Sequence, residues 1–132
     1  MATRGVRNCN PGNIRLSQGI SFVGEVQSSD ISFRQFKSMV YGIRALMKLL
    51  LRYFYTYNRI TVRSIISRYA PSVENRTDKY IDFVCEYMHV KSNTILMLAS
   101  PRVLFCLVCA ICEYEFEYHP SDNMLTDAYL KL

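Results

Sequence analysis

The stretch from Pro101 to Glu117 reads Pro-Arg-Val-Leu-Phe-Cys-Leu-Val-Cys-Ala-Ile-Cys-Glu-Tyr-Glu-Phe-Glu, apolar for most of its length and acidic at its end. Wound at about 100° per residue, it sets Leu104, Leu107, Val108 and Ile111 on one stripe. A helix with that stripe has to bury it, so the rest of the chain must supply a surface to cover it. Glu115 falls in the middle of the same stripe, whereas Glu113 and Glu117 fall on the opposite face with Cys106 and Cys109. A carboxyl at the end of a buried stripe is partly desolvated, which disfavours its charged form and raises its pKa. A general acid working near neutral pH needs that condition. The competing reading is a helix that has reached the surface, where Glu115 simply meets water.

A length of 132 residues suits one domain, 1–132, with a real core. Half of the residues are apolar, 20% are charged and only five are glycine, which excludes a disordered chain. The net charge is +5, and the positive residues lie mainly in the first eighty, while the last twenty hold five acids and a single Lys. A basic body with an acidic end suits an anionic polymer such as cell-wall glycan, nucleic acid or lipid headgroups. The basic residues are spread rather than blocked and form no reader motif, so nucleic acid is not the expected partner. Five cysteines, Cys9, Cys85, Cys106, Cys109 and Cys112, make an odd set for a disulfide framework. The Cys-x-x-Cys-x-x-Cys spacing has a formal likeness to iron–sulfur ligation. It lies inside an apolar helix without a Gly-rich loop, however, and reads as small thiols packing in a core. No metal and no cofactor are expected. Synthesis in a reducing cytoplasm fits these thiols. The polar opening predicts no secretory leader. The apolar run 103–112 is about half of what a membrane-spanning helix needs, so membrane insertion is not expected either.

Along the chain, the first thirty-six residues lack helical periodicity and carry turn chemistry at Asn10-Pro11-Gly12-Asn13, Ser17-Gln18-Gly19 and Gln27-Ser28-Ser29-Asp30. Short strands are expected near 14–16, 20–26 and 32–36, as an irregular hairpin region. Ser38 or its neighbour caps a helix from about Met39 to Tyr57, with Leu46, Leu49, Leu50 and Tyr53 as its buried stripe. Thr61 caps a helix from Val62 to Tyr69, which Ala70-Pro71-Ser72 ends. Helices are expected over Asp78–His89, around Asn93–Leu98, through the apolar run, and from an Asp122 cap to Leu132. The expected fold is mainly α (α+β), a helical body over 38–132 with a small β-hairpin lobe over 1–37.

Three blocks carry a resemblance. Arg4-Gly5-Val6-Arg7-Asn8-Cys9-Asn10-Pro11-Gly12-Asn13-Ile14-Arg15 resembles the opening of a family of small phage and prophage proteins commonly labelled structural or virion proteins. Phe33-Arg34-Gln35-Phe36-Lys37-Ser38 with Tyr41-Gly42-Ile43-Arg44-Ala45 is similar to that family's next block. Arg68-Tyr69-Ala70-Pro71-Ser72-Val73-Glu74-Asn75-Arg76-Thr77-Asp78-Lys79-Tyr80-Ile81 is similar to a third, so the likeness covers almost the whole chain. It departs from the family at Cys9, where Asn is usual, at Phe22, where Trp is usual, and at Glu115-Phe116-Glu117, where Glu-x-Gly is expected. The same blocks resemble pieces of lysozyme-like, peptidoglycan-cleaving domains: Asn10-Pro11-Gly12-Asn13-Ile14 the start of a glucosaminidase β-lobe, Pro71 to Ile81 a cleft segment of lytic transglycosylases. The helix that normally comes first in such domains, ending in its catalytic Glu, has its counterpart here at the far end of the chain.

The resemblance thus implies a circularly permuted lysozyme-like domain that cuts the glycan strands of peptidoglycan, with Glu115 as general acid. Glu25 on the expected hairpin is the candidate second carboxylate for a hydrolase; a lytic transglycosylase needs none. Tyr80 would hydrogen-bond the substrate, Asn10 and Asn13 would shape a subsite, and Glu74 belongs to the cleft segment. Each has a plainer reading: Glu74 bonding backbone or an Arg, Asn10-Pro11-Gly12-Asn13 as a turn, Tyr80 as packing. The alternative function is a non-catalytic virion structural or cell-wall-binding protein with the same fold, with other virion proteins as partners. Action is expected at the cell wall or periplasm, or in the virion.

Overall fold

The computed structural model describes residues 3–17, 19–70 and 74–132, with Glu74 and Asn75 described by their backbone alone. It is mainly helical with a two-stranded antiparallel sheet. A short helix α1 (Arg4–Arg7) opens the described chain and is followed by strands β1 (Glu25–Val26) and β2 (Gln35–Phe36). Helices α2 (Met39–Tyr55), α3 (Val62–Tyr69), α4 (Glu74–Met88), α5 (Pro101–Phe116) and α6 (Asp122–Leu130) form the body.

The apolar stripe of α5 sets the core. Leu104, Leu107, Val108 and Ile111 are fully buried, packed with Ile43, Leu46 and Leu50 of α2, Ile65 and Ile66 of α3, and Ile81 and Val84 of α4. Pro101 stands in the first turn of α5, where its missing N–H would have had no intrahelical partner. Thr61 caps α3 through a reciprocal box, accepting from the Ser64 N–H while the Ser64 hydroxyl accepts from the Thr61 N–H. Ser121 caps α6 by accepting from the Met124 N–H at 3.2 Å, which places Asp122 inside the first turn rather than at the cap. Ser38 stands at the head of α2 without a side-chain cap bond. Arg44 is buried on α2, and its Nε donates to the Lys131 carbonyl at 2.8 Å, fastening α6 against α2.

Gly42 is required by close approach. A Cβ there would run into the Cys9 carbonyl, so the loop after α1 rests directly on the α2 backbone. That explains glycine inside an otherwise strongly helical run, where it costs about 1 kcal/mol relative to Ala.

The strands are shorter than expected. Glu25 pairs with Phe36 and Val26 with Gln35, and the 14–16 segment joins through a single bridge between Arg15 and Phe33. The expected helix around Asn93–Leu98 is not formed. Thr61 bridges Ile95 instead, and the Leu96 N–H donates to the Ile60 carbonyl at 2.7 Å. Pairing with the segment before α3 thus overrides local helical preference. The expectation of no helix in the first thirty-six residues also fails at α1. This is one turn held by the Thr3 hydroxyl accepting from the Val6 N–H, too short to give a periodic signal. Pro71, Ser72 and the Gln18 turn lie outside the described residues.

Candidate functional site

A cleft of about 620 Å³ separates the amino-terminal lobe from the helical body. One wall is Asn13, Ile14, Arg15, Ser17, Ile20, Phe22, Phe33 and Arg34 from the lobe. The opposite wall comes from α2 (Leu49, Tyr53), the end of α3 (Tyr69, Ala70), α4 (Arg76, Tyr80) and α5 (Tyr114, Glu115).

Glu115 stands where the α5 stripe opens into this cleft. It is partly buried, and the Asn13 amide donates to its Oε1 at 3.2 Å. Burial raises its pKa above the ordinary 4.5. The Tyr80 hydroxyl, the Asn13 amide and the Arg15 guanidinium pull the other way, without overcoming that effect. Tyr80 is itself buried, and burial together with the Glu115 charge pushes its hydroxyl pKa well up, so it stays protonated. That hydroxyl sits beside the carboxyl without completing a hydrogen bond, and among the described residues it has no partner. The Tyr80 ring stacks on Tyr114 with centroids 3.8 Å apart, and Phe83 meets the Tyr114 edge at 5.3 Å. Tyr114 directly, and Phe83 through Tyr114, therefore hold the phenol in place.

Asn13 reaches the carboxyl because its loop is tightly held. Asn10 is buried, with its amide donating to the Ile14 and Arg34 carbonyls at 3.0 and 2.9 Å and its oxygen accepting from the Ile14 N–H at 2.9 Å. Asn10 is therefore a clamp inside the lobe and does not line the cleft. Asn13 adopts a left-handed backbone with φ 57°, which Asn tolerates better than most residues. The Tyr69 hydroxyl donates to the Gly12 carbonyl from the other side.

Glu25 does not face the cleft as a second free carboxylate. Its oxygens accept from the buried Arg34 Nη1 at 2.7 and 2.8 Å, and one also accepts from the Phe22 N–H at 3.0 Å. Arg34 in turn donates to the Arg15 and Ile20 carbonyls and to the Ser17 hydroxyl, so the pair ties together the loops that form the lobe wall. A buried guanidinium needs such a counter-charge. The side chain of Glu74 lies outside the described residues. Among the described residues, no cluster of three or more His, Cys, Asp or Glu side chains is arranged to hold a metal ion. The five thiols are unpaired, and burial pushes Cys109 up to about 11.

Of the residues singled out from sequence, Asn13, Tyr80 and Glu115 are brought together and Asn10 supports them from behind. Sequence reasoning missed Tyr114, which lies one residue from Glu115 and so about 100° off its stripe. It also missed Tyr69, although that residue stands in one of the three quoted blocks, and the Arg34 tie. The two departures at Cys9 and Glu117 share a backbone explanation. Both residues are left-handed, with φ 51°, a geometry that Asn and Gly adopt at less cost. Glu117 is the C-cap of α5, a position glycine commonly holds. Its side chain is exposed, and it does not line the cleft.

No protein-family model matches the chain. Among proteins of known identity, it is similar to Protein P5 of Pseudoalteromonas phage PM2, with 39% identity over 95 residues. The match covers 70% of this chain and 59% of the length of that protein. A phage protein is therefore a homologue of this chain, over little more than half of its own length.

Proposed function

We propose that this chain is a phage or prophage protein with a lysozyme-like cleft that cuts the glycan strands of peptidoglycan, with Glu115 as general acid. The observation that carries this reading is the Glu115 carboxyl, raised in pKa by burial and opening with Asn13 and Tyr80 into the cleft. In the reaction, protonated Glu115 gives its proton to the bridging oxygen after N-acetylmuramic acid as the C1–O bond breaks. An oxocarbenium-like transition state develops at C1. The carboxylate left behind takes the proton of the muramic acid 6-hydroxyl, whose oxygen closes on C1. The product is a 1,6-anhydro end, and Glu115 is returned to its acid form. This internal route suits a cleft in which Glu115 is the one carboxylate among the described lining residues, because Glu25 is bound to Arg34. The Tyr80 hydroxyl is sealed from solvent beside the carboxyl, where it backs Glu115 rather than facing a sugar. Asn13 keeps the carboxyl oriented.

The test is muropeptide analysis after incubation with purified sacculi of several wall types. Anhydro-muropeptides are expected, and Glu115→Gln should lower their rate of appearance by about 10²- to 10⁴-fold. Reducing muramic acid ends would indicate hydrolysis in place of the internal route. Release of nothing from any wall type ends the enzymatic reading.

The second reading is a non-catalytic virion or wall-binding protein. It rests on the phage homologue, which supports a particle component better than an enzyme, and on Glu115 being the one carboxylate among the described lining residues. Retained binding to sacculi without cleavage would establish it.

A further inference from the structure

A second depression, of about 380 Å³, adjoins the cleft and is lined by Tyr53, Arg59, Ser67 and Arg68. Tyr53 belongs to the walls of both, so the two lie side by side. Two guanidiniums converge here. Arg68 lies 4.4 Å from the Tyr57 ring centroid and 5.5 Å from that of Tyr53, which holds it in place by its face. Arg59 is anchored at both ends, its N–H donating to the Tyr53 carbonyl at 2.9 Å and its Nη1 to the Ser64 carbonyl at 3.4 Å. Among the described residues neither Arg has an ion-pair partner. Two guanidiniums without an ion-pair partner among the described residues, beside a serine hydroxyl, form a donor set that matches carboxylate geometry.

We propose that Arg59 and Arg68, with Ser67 and the Tyr53 edge, form a subsite for the carboxylates of the peptide stems on a glycan strand lying in the main cleft. This rests on the peptidoglycan reading above and narrows it: the preferred substrate is peptide-bearing rather than denuded glycan. A strand in the cleft carries its stem peptides laterally from the muramic acid units. Tyr53 lies between the sugar path and the two arginines, where such a stem would leave the cleft.

The test measures binding, so that it stands apart from catalysis. Glu115→Gln protein, unable to turn over, is sedimented with peptide-bearing sacculi and with the same glycan stripped of stems by an amidase. Adding Arg59→Gln and Arg68→Gln should weaken binding to peptide-bearing sacculi about tenfold and leave binding to stripped glycan unchanged. Arg102→Gln removes the same charge at an exposed position lining neither cavity and should change neither. The two single variants keep the comparison decisive if the double variant does not fold. Equal weakening on both glycans, or none, overturns the subsite. Selective weakening in a protein whose wild type releases no muropeptides sinks the cleavage reading and leaves the subsite standing. Failure of the Glu115→Gln protein to bind either glycan removes both.

Discussion

Glu115 binds its proton more readily in the folded chain than in the unfolded one, because burial outweighs the help its charge receives from Tyr80, Asn13 and Arg15. The sign of the linked stability follows. Between the unfolded value near 4.5 and the raised folded value, the native state holds more protons, so stability falls as pH rises and then levels off. Glu115→Gln should remove that slope and be at least as stable as wild type at pH 7.5. Urea unfolding at a mildly acidic and a mildly alkaline pH checks it, and an unchanged slope would mean the carboxyl is solvated after all. At Glu117 the expected change has the opposite origin. The residue is exposed and left-handed at a helix end, so Glu117→Gly should stabilise by about 1 kcal/mol, read as a higher thermal midpoint. Glu115 could be picked out from the sequence because a helical wheel needs only spacing. The Arg34 partnership that removes Glu25 from the cleft could not, because ion pairing depends on where loops meet.

Helix α3 is short, at eight residues, and its start depends on the reciprocal Thr61–Ser64 bonds. Thr61→Ala should cost about 1 kcal/mol and loosen the helix whose end presents Tyr69 to the cleft. Denaturant midpoints give the first effect, and faster amide exchange over 62–69 the second. Helices were the legible part of this chain. Stripe, cap and proline signals located α2, α3, α5 and α6 to within a few residues, since each is a local pattern. The 93–98 segment misled because its partner, the stretch before α3, lies some thirty residues away in sequence and pairing overrode local preference. The lobe was legible as irregular and turn-rich, but its register was not. Its strands are only two residues long, and its shape is held by side chains such as Asn10 and Arg34 rather than by a ladder.

At the scale of the molecule, the cleft is assembled from distant pieces: Asn13 near the start of the chain meets Glu115 from α5, with Tyr80 of α4 beside them. Its geometry depends on Asn10 as much as on the residues facing the ligand. Asn10→Ala would leave the Arg34 carbonyl and the Ile14 N–H without their partner in a buried loop, while the Ile14 carbonyl keeps the Arg34 N–H, so a loss of about 2 kcal/mol is expected. The same variant should shift the pH profile of any Glu115-dependent reaction, because Asn13 would no longer be held at the carboxyl. A full loss of stability with an unaltered profile would separate the clamp from the site. The loop from Cys9 to Asn13 rests on Gly42, is fastened to α3 through Gly12 and Tyr69, and touches α5 through Asn13. A segment with no regular secondary structure thus acts as the keystone between lobe and body. The Ile14 amide, sealed beneath it, should exchange with deuterium on the timescale of the central helices, and any ligand must fit an aperture of preset width.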